Sequence, residues 1–136
     1  MSLSLAEYAV RDALALADLV ARREVTAKEL AETSMRAVAA VNPAVNAVVE
    51  TYDDRVGGLD ERQLGNGPFR GVPTLMKDVF GHEGGRKIEF GSRLCAGMTA
   101  DRDSHFCTLM KASGLNIVGR SAAPEYSMAG STEGAL

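Results

Sequence analysis

The sequence predicts an α/β fold in which N-terminal helices pack on part of a mixed, largely parallel sheet. Three observations carry that prediction. Two amphipathic helical stretches within residues 12–41 are joined by a link as short as Glu24-Val25, which forces them to pack on each other. Two short apolar runs, Val72 to Met76 and Asn116 to Gly119, are bounded by glycine or proline and read as buried strands. Between those runs lies a capped helical stretch. Strand, helix, strand implies a parallel pair with a right-handed crossover.

The elements follow in order. Ser4-Leu5-Ala6-Glu7 is a capping box over a short turn. Asp12 is the N-cap of a helix to about Arg23, with Leu16, Leu19 and Val20 on one stripe. Thr26-Ala27-Lys28-Glu29 is a stronger capping box. It opens a helix to about Val41, with Leu30, Ala37, Val38 and Val41 on one side and Asn42-Pro43 as the stop. Residues 47–52 are rich in β-branched side chains and predict a strand. Residues 53–65 read as a charged loop with one helical turn, and Asn66-Gly67-Pro68 as a tight turn. Residues 81–97 hold glycines at 81, 84, 85, 91 and 97 but match no phosphate-loop spacing, so they predict a long loop at the rim of a pocket. Asp103 or Ser104 caps a helix to about Ser113, with Phe106, Leu109 and Met110 facing inward and Gly114 as the left-handed stop. Residues 121–126 form a loop entering a helical turn, and residues 130–134 a small, polar loop.

Composition narrows the function classes. The chain has 136 residues, 46% of them hydrophobic, enough for one ordinary domain with a real core. Net charge is −3 with no basic block, and aromatic content is 5% with no Trp, so neither nucleic acid nor an anionic membrane is an expected partner. No leader or membrane-length apolar run is visible. Cys95 and Cys107 then read as buried, reduced thiols of a cytoplasmic protein. His82 and His105 stand alone, and no Cys/His spacing fits a metal.

The stretch that points to chemistry is Gly71-Val72-Pro73-Thr74-Leu75-Met76-Lys77-Asp78. Lys77 sits where an apolar strand ends. On these residues alone a lysine there is most often a snorkelling side chain with its head in water. If half-buried, its ammonium form is penalised, its pKa falls, and the amine can act as a base. Arg120 lies at the end of the second predicted strand, and ligands of open α/β sheets sit at the carboxyl ends of strands.

Gly67-Pro68-Phe69-Arg70-Gly71-Val72-Pro73, continued by Lys77-Asp78, resembles the amidase signature family, whose GPL-x-GVP-x-x-x-KD segment carries a catalytic lysine. Asn42-Pro43-Ala44-Val45-Asn46-Ala47 is similar to that family's turn after its N-terminal helices. Gly130-Ser131-Thr132-Glu133 matches its GSTE. Residues 114–130 resemble a third segment, with Arg120 for the usual lysine, Ser121-Ala122 for Thr-Asn and Tyr126 for Phe. Residues 84–93 and Arg120 lean toward the branch with 6-aminohexanoate cyclic dimer hydrolases. The resemblance implies an amidohydrolase acting on a small-molecule amide through a Ser–cis-Ser–Lys triad, without metal or cofactor. Lys77 is the one triad member present; the Gly/Ser-rich signature with both serines would follow Leu136. Residues 1–136 therefore read as the N-terminal portion of an incomplete amidase-signature fold, helical over about 1–45 and sheet-forming over about 46–136, and inactive alone. Ser92 and Ser131 are not expected to substitute as nucleophiles, because neither comes with a positioned base and an oxyanion site. An open sheet edge predicts self-association or a homo-oligomer. The competing readings are an amidotransferase subunit of the same family and a non-catalytic interaction module.

Overall fold

The computed structural model describes residues 3–133; Gly134, the last residue of the predicted polar loop, lies outside them. Helix α1 (Leu5–Ala9) is opened by a reciprocal cap. The Glu7 amide donates to Ser4 Oγ at 3.2 Å, and the Ser4 amide donates to the Glu7 carboxylate at 3.0 Å. Helix α2 (Ala13–Ala21) starts at Asp12, whose carboxylate accepts the Ala15 N–H at 2.8 Å. Helix α3 (Ala27–Val45) repeats the reciprocal cap through Thr26 and Glu29. In each case a side chain satisfies amides that the first helical turn leaves unpaired.

Two sequence expectations for α3 fail. The helix passes through Pro43 and ends three residues later at Asn46, which takes a left-handed conformation (φ 48°) and donates its N–H to the Asn42 carbonyl at 2.7 Å. Proline removes one donor, and so close to the end that loss is tolerable. Asn42 instead bridges outward, exchanging two hydrogen bonds (2.8 and 2.9 Å) with the Val48 backbone and fixing where the next strand begins. Val41 is exposed rather than inward, because the buried part of α3 (Ala27, Leu30, Ala31 and Thr33) lies in its first half.

Strands β1 (Val48–Thr51), β2 (Pro73–Lys77) and β3 (Asn116–Ser121) form one mixed sheet in the order β1-β3-β2. β2 runs parallel to β3 as the sequence predicts, and β1 runs antiparallel to it. β3 is the central strand and is buried along nearly its whole length. Between β1 and β2 come a single helical turn, α4 (Asp53–Gly57), and a short 3-10 turn at Glu61–Gln63. Helix α5 (His105–Ala112) links β2 to β3 and is capped by Ser104.

The sheet is covered on both faces. Tyr52, Met76 and Ile117 pack under α5 with Cys107 and Met110, while Leu75 and Val118 pack under α3 with Ala31 and Met35. A third apolar cluster joins α2 and α3 to the chain entering β2 through Leu16, Leu30 and Val72. Phe106 and Leu109 are more than half exposed, against expectation. A three-stranded sheet is narrow, and the 3.6-residue period gives the stripe facing it to Cys107 and Met110. Cys107 is buried as expected; Cys95 is half-exposed, and both thiols are free.

Each ladder carries one register irregularity, between Val48 and Glu50 in β1 and opposite Thr74/Leu75 in β3. A bulge of this kind inserts one residue and swaps the faces of everything beyond it. Arg120 thereby pairs with Met76 on one side and Glu50 on the other.

Candidate active site at the carboxyl end of the parallel pair

Lys77 and Ser121 are register partners at the carboxyl ends of β2 and β3. The next residue, Asp78, continues the ladder by donating its N–H to the Ser121 carbonyl at 3.1 Å. Met76 faces the α5 side of the sheet, so strand alternation sends Lys77 to the opposite side and returns Asp78 to the side of Met76. Lys77 is exposed. The half-buried lysine that the sequence suggests is therefore not what these residues build. The strand end expected for Lys77 is where the residue lies, but β2 is half-buried rather than buried, with only Met76 sealed, and it is an edge strand of the described sheet.

The most organised feature at this end is one that sequence reasoning missed. Arg120 is 3% exposed and meets three carboxylates. Its Nη1 donates to Asp78 Oδ1 at 2.5 Å, its Nη2 to Glu89 Oε2 at 2.6 Å, and its Nε to Glu50 Oε2 at 3.2 Å. Burial alone would weaken the Arg120 cation, but its hydrogen bonds to Glu89 and Asp78 outweigh that and hold its pKa above the ordinary arginine value. For Glu89 burial pushes the carboxyl pKa up, yet the Gly97 N–H and Arg120 outweigh it and keep the group below the usual range. Sequence reasoning placed Arg120 at a strand end as a possible site residue; in the structure it is sealed inside as a counter-ion. The available signal was an acid directly after one strand and an arginine at the same end of its parallel neighbour.

Asp78 does more than pair. Its two oxygens accept the backbone N–H groups of Glu89 (2.7 Å) and Gly91 (2.9 Å). Glu89 in turn accepts the Gly97 N–H at 2.6 Å. The glycine-rich loop of residues 81–97 is thus anchored to the strand ends by carboxylate–amide bonds, and Ile88, Glu89 and Ser92 within it are buried. Gly91 (φ 63°) has no space for a side chain, since an added Cβ would lie 2.2 Å from the Ala123 carbonyl oxygen. Phe90 stacks on Tyr126 with ring centroids 6.0 Å apart, and both residues take left-handed backbone conformations.

Of the two serines weighed from sequence, Ser92 is buried and donates to Glu125 at 2.7 Å. Ser131 is exposed and lines an open cavity of about 560 Å³ with Gly91, Arg93, Pro124 and Glu125. Ser131 donates to Glu133 at 3.3 Å, so each serine meets a carboxylate, and neither is hydrogen-bonded to a lysine or histidine among the described residues. Among the described residues no cluster of His, Cys, Asp or Glu is arranged to hold a metal ion, and no helix is long and apolar enough to cross a membrane.

Comparison with known proteins bears on the fold and the family. The 6-aminohexanoate-cyclic-dimer hydrolase of Paenarthrobacter ureafaciens is 34% identical over 125 residues, covering 90% of this chain and 25% of that protein. A glutamyl-tRNA(Gln) amidotransferase subunit from Acidothermus cellulolyticus is also 34% identical, over 132 residues, covering 90% of this chain and 26% of its own length. Among solved structures, a 6-aminohexanoate cyclic dimer hydrolase superposes with a TM-score of 0.84 at 32% identity, over 98% of this chain and 27% of the other. A bacterial aryl acylamidase of the amidase signature family shares the fold, with a TM-score of 0.77 at 24% identity over 90% of this chain and 27% of the other. The chain spans about a quarter of the length of the curated relatives it matches. The amidase family model matches residues 29–136, so the chain belongs to the amidase family.

Proposed function

We propose that this chain carries the base of an amide-hydrolysing site and that the base is Lys77. The observation that supports the reading is the position of Lys77 at the carboxyl end of β2, next to the central strand, inside the matched family segment. The neutral Lys77 amine takes a proton from a bridging serine, which takes one from a nucleophilic serine. That serine adds to the amide carbonyl, the amine leaves with a proton returned through the same relay, and water releases the acid from the acyl-enzyme. The reaction class needs no cofactor. Both serines would come from sequence beyond these 136 residues, so residues 1–45 and 46–136 are the helical start and the first sheet strands of a larger amidase domain.

On this reading the exposure of Lys77 is a property of the isolated segment. Further strands cover the end of β2 and enclose the amine. The outer edge of β2 pairs with nothing among the described residues, and until it is covered the segment self-associates. The substrate is a linear or cyclic carboxamide, the protein acts in the cytoplasm, and neither nucleic acid nor membrane is a partner.

The test uses two forms: the 136-residue chain, and the same chain joined after Leu136 to the remaining portion of the cyclic-dimer hydrolase relative. Turnover of 6-aminohexanoate cyclic dimer or a simple aryl amide is expected only in the joined form, and is lost in Lys77→Ala. Turnover by the 136-residue chain, or an active Lys77→Ala joined form, overturns the proposal.

A further inference from the structure

Resting on the assignment of Lys77 as base, we propose that Asp78 and Arg120 are its positioning residues: together they lock the strand end that projects Lys77 and the loop of residues 81–97 into one rigid unit. The relay described above uses neither side chain. Yet Asp78 is 1% exposed and receives three donors, from Arg120, the Glu89 amide and the Gly91 amide. Arg120 uses all three faces of its guanidinium, reaching the loop through Glu89, the end of β2 through Asp78 and the neighbouring strand through Glu50.

The charge count argues for geometry over stability. One buried cation facing three carboxylates is a poor way to stabilise a core, since apolar residues of equal volume do as well or better. A planar fork, by contrast, fixes direction, because its donors lie in one plane and match carboxylates at set angles. The backbone beside the cluster also needs holding. Phe80, Phe90, Tyr126 and Ser127 all take positive φ (63°, 54°, 49° and 56°), which non-glycine residues adopt only when the surroundings impose it. Phe80 lies two residues past Asp78, and Phe90 sits between the two amides that Asp78 receives. Asp78 is thus the point where strand and loop are fastened, one residue from the proposed base.

The test substitutes Asp78→Asn, which keeps shape and removes charge, and Arg120→Lys, which keeps charge and removes the fork. In the 136-residue chain, hydrogen exchange is read amide by amide. In Asp78→Asn the amides of Glu89 and Gly91 are expected to exchange about tenfold faster or more, while the Leu30 amide in α3 stays within about twofold. Uniform acceleration at all amides, or none at Glu89 and Gly91, overturns the proposal, since the first is global destabilisation and the second means the loop is held by something else. In the joined enzyme, kcat per folded molecule is expected to fall by about tenfold or more with KM nearly unchanged, and Arg120→Lys to fall between. Unchanged kcat per folded molecule in Asp78→Asn, in an enzyme that Lys77→Ala inactivates, overturns the positioning role and leaves the base assignment standing. Activity surviving Lys77→Ala removes the base itself, and the positioning role with it.

Discussion

Glu83 Oε1 lies 2.6 Å from Arg55 Nη2, an ion pair that ties the loop after β2 to helix α4. Glu83 is 4% exposed and its second cation, Lys111, reaches it from α5 at 2.8 Å. Three segments far apart in sequence meet at one carboxylate. Burial alone would raise its pKa, but the hydrogen bonds from Arg55 and Lys111 prevail and hold the group below the ordinary value of 4.5.

That depression sets a pH dependence. A carboxyl whose folded pKa is lowered adds stability above its unfolded pKa, and the contribution is lost as pH falls through the folded value. Glu89 and Asp103 are lowered too, so they add in the same direction. The thermal midpoint, followed by circular dichroism, is expected to be flat from neutral pH to about 5 and to drop at more acid pH. Glu83→Gln should start lower and show a shallower acid limb.

Truncating the same residue tests its weight. Glu83→Ala is expected to cost about 1–3 kcal/mol in chemical denaturation. The cost stays below that of a fully sealed pair because Arg55 and Lys111 keep side-chain exposures of 25% and 39% and can turn to water.

Glycine positions separate strain from clash. Gly91→Ala combines a left-handed backbone with a Cβ 2.2 Å from the Ala123 oxygen. Gly85→Ala has a similar backbone (φ 78°) and nothing within 4 Å. Gly85→Ala should therefore lose only about 1–2 kcal/mol, and Gly91→Ala clearly more, as measured by the midpoint of urea unfolding.

Lys77→Ala should leave stability within about 0.5 kcal/mol of the parent, because the side chain is exposed and makes no hydrogen bond among the described residues. A large destabilisation would mean that Lys77 is part of the scaffold.

The two thiols should differ in reactivity. Cys107 is fully buried and its pKa is pushed up to about 11 by desolvation. Cys95 is half-exposed, with its sulfur 3.3 Å from the Tyr126 hydroxyl. Iodoacetamide followed by mass spectrometry is expected to label Cys95 in the native protein and Cys107 only after denaturation.

What could be read from sequence was what is local. Both capping boxes, the Asp12 and Ser104 caps, the Gly114 stop and the parallel pairing of β2 with β3 follow from short-range chemistry and connection rules. The misses depend on partners outside the element concerned. Pro43 looked like a stop because its neighbours in sequence could not reveal that Asn42 would bond across to Val48. Phe106 and Leu109 looked buried because nothing in α5 tells how wide the sheet beneath it is. Lys77 was located at its strand end, but its burial depends on what packs over that end. Asp78 drew notice only as the residue after Lys77 in the motif, whereas its partners, Arg120, Glu89 and Gly91, lie 42, 11 and 13 positions away.

The paired bulges in β1 and β3 have a consequence for how this family can vary. They make the meeting of Glu50, Arg120 and Asp78 a matter of parity: remove one residue from β3 ahead of Arg120 and the guanidinium turns to the other side of the sheet, leaving acids sealed in with no cation; remove one from β1 ahead of Glu50 and that carboxylate turns away instead. Side chains around the cluster can drift, but the count of residues leading to it cannot. Length changes between related chains should therefore gather in the connections and spare these two short strands.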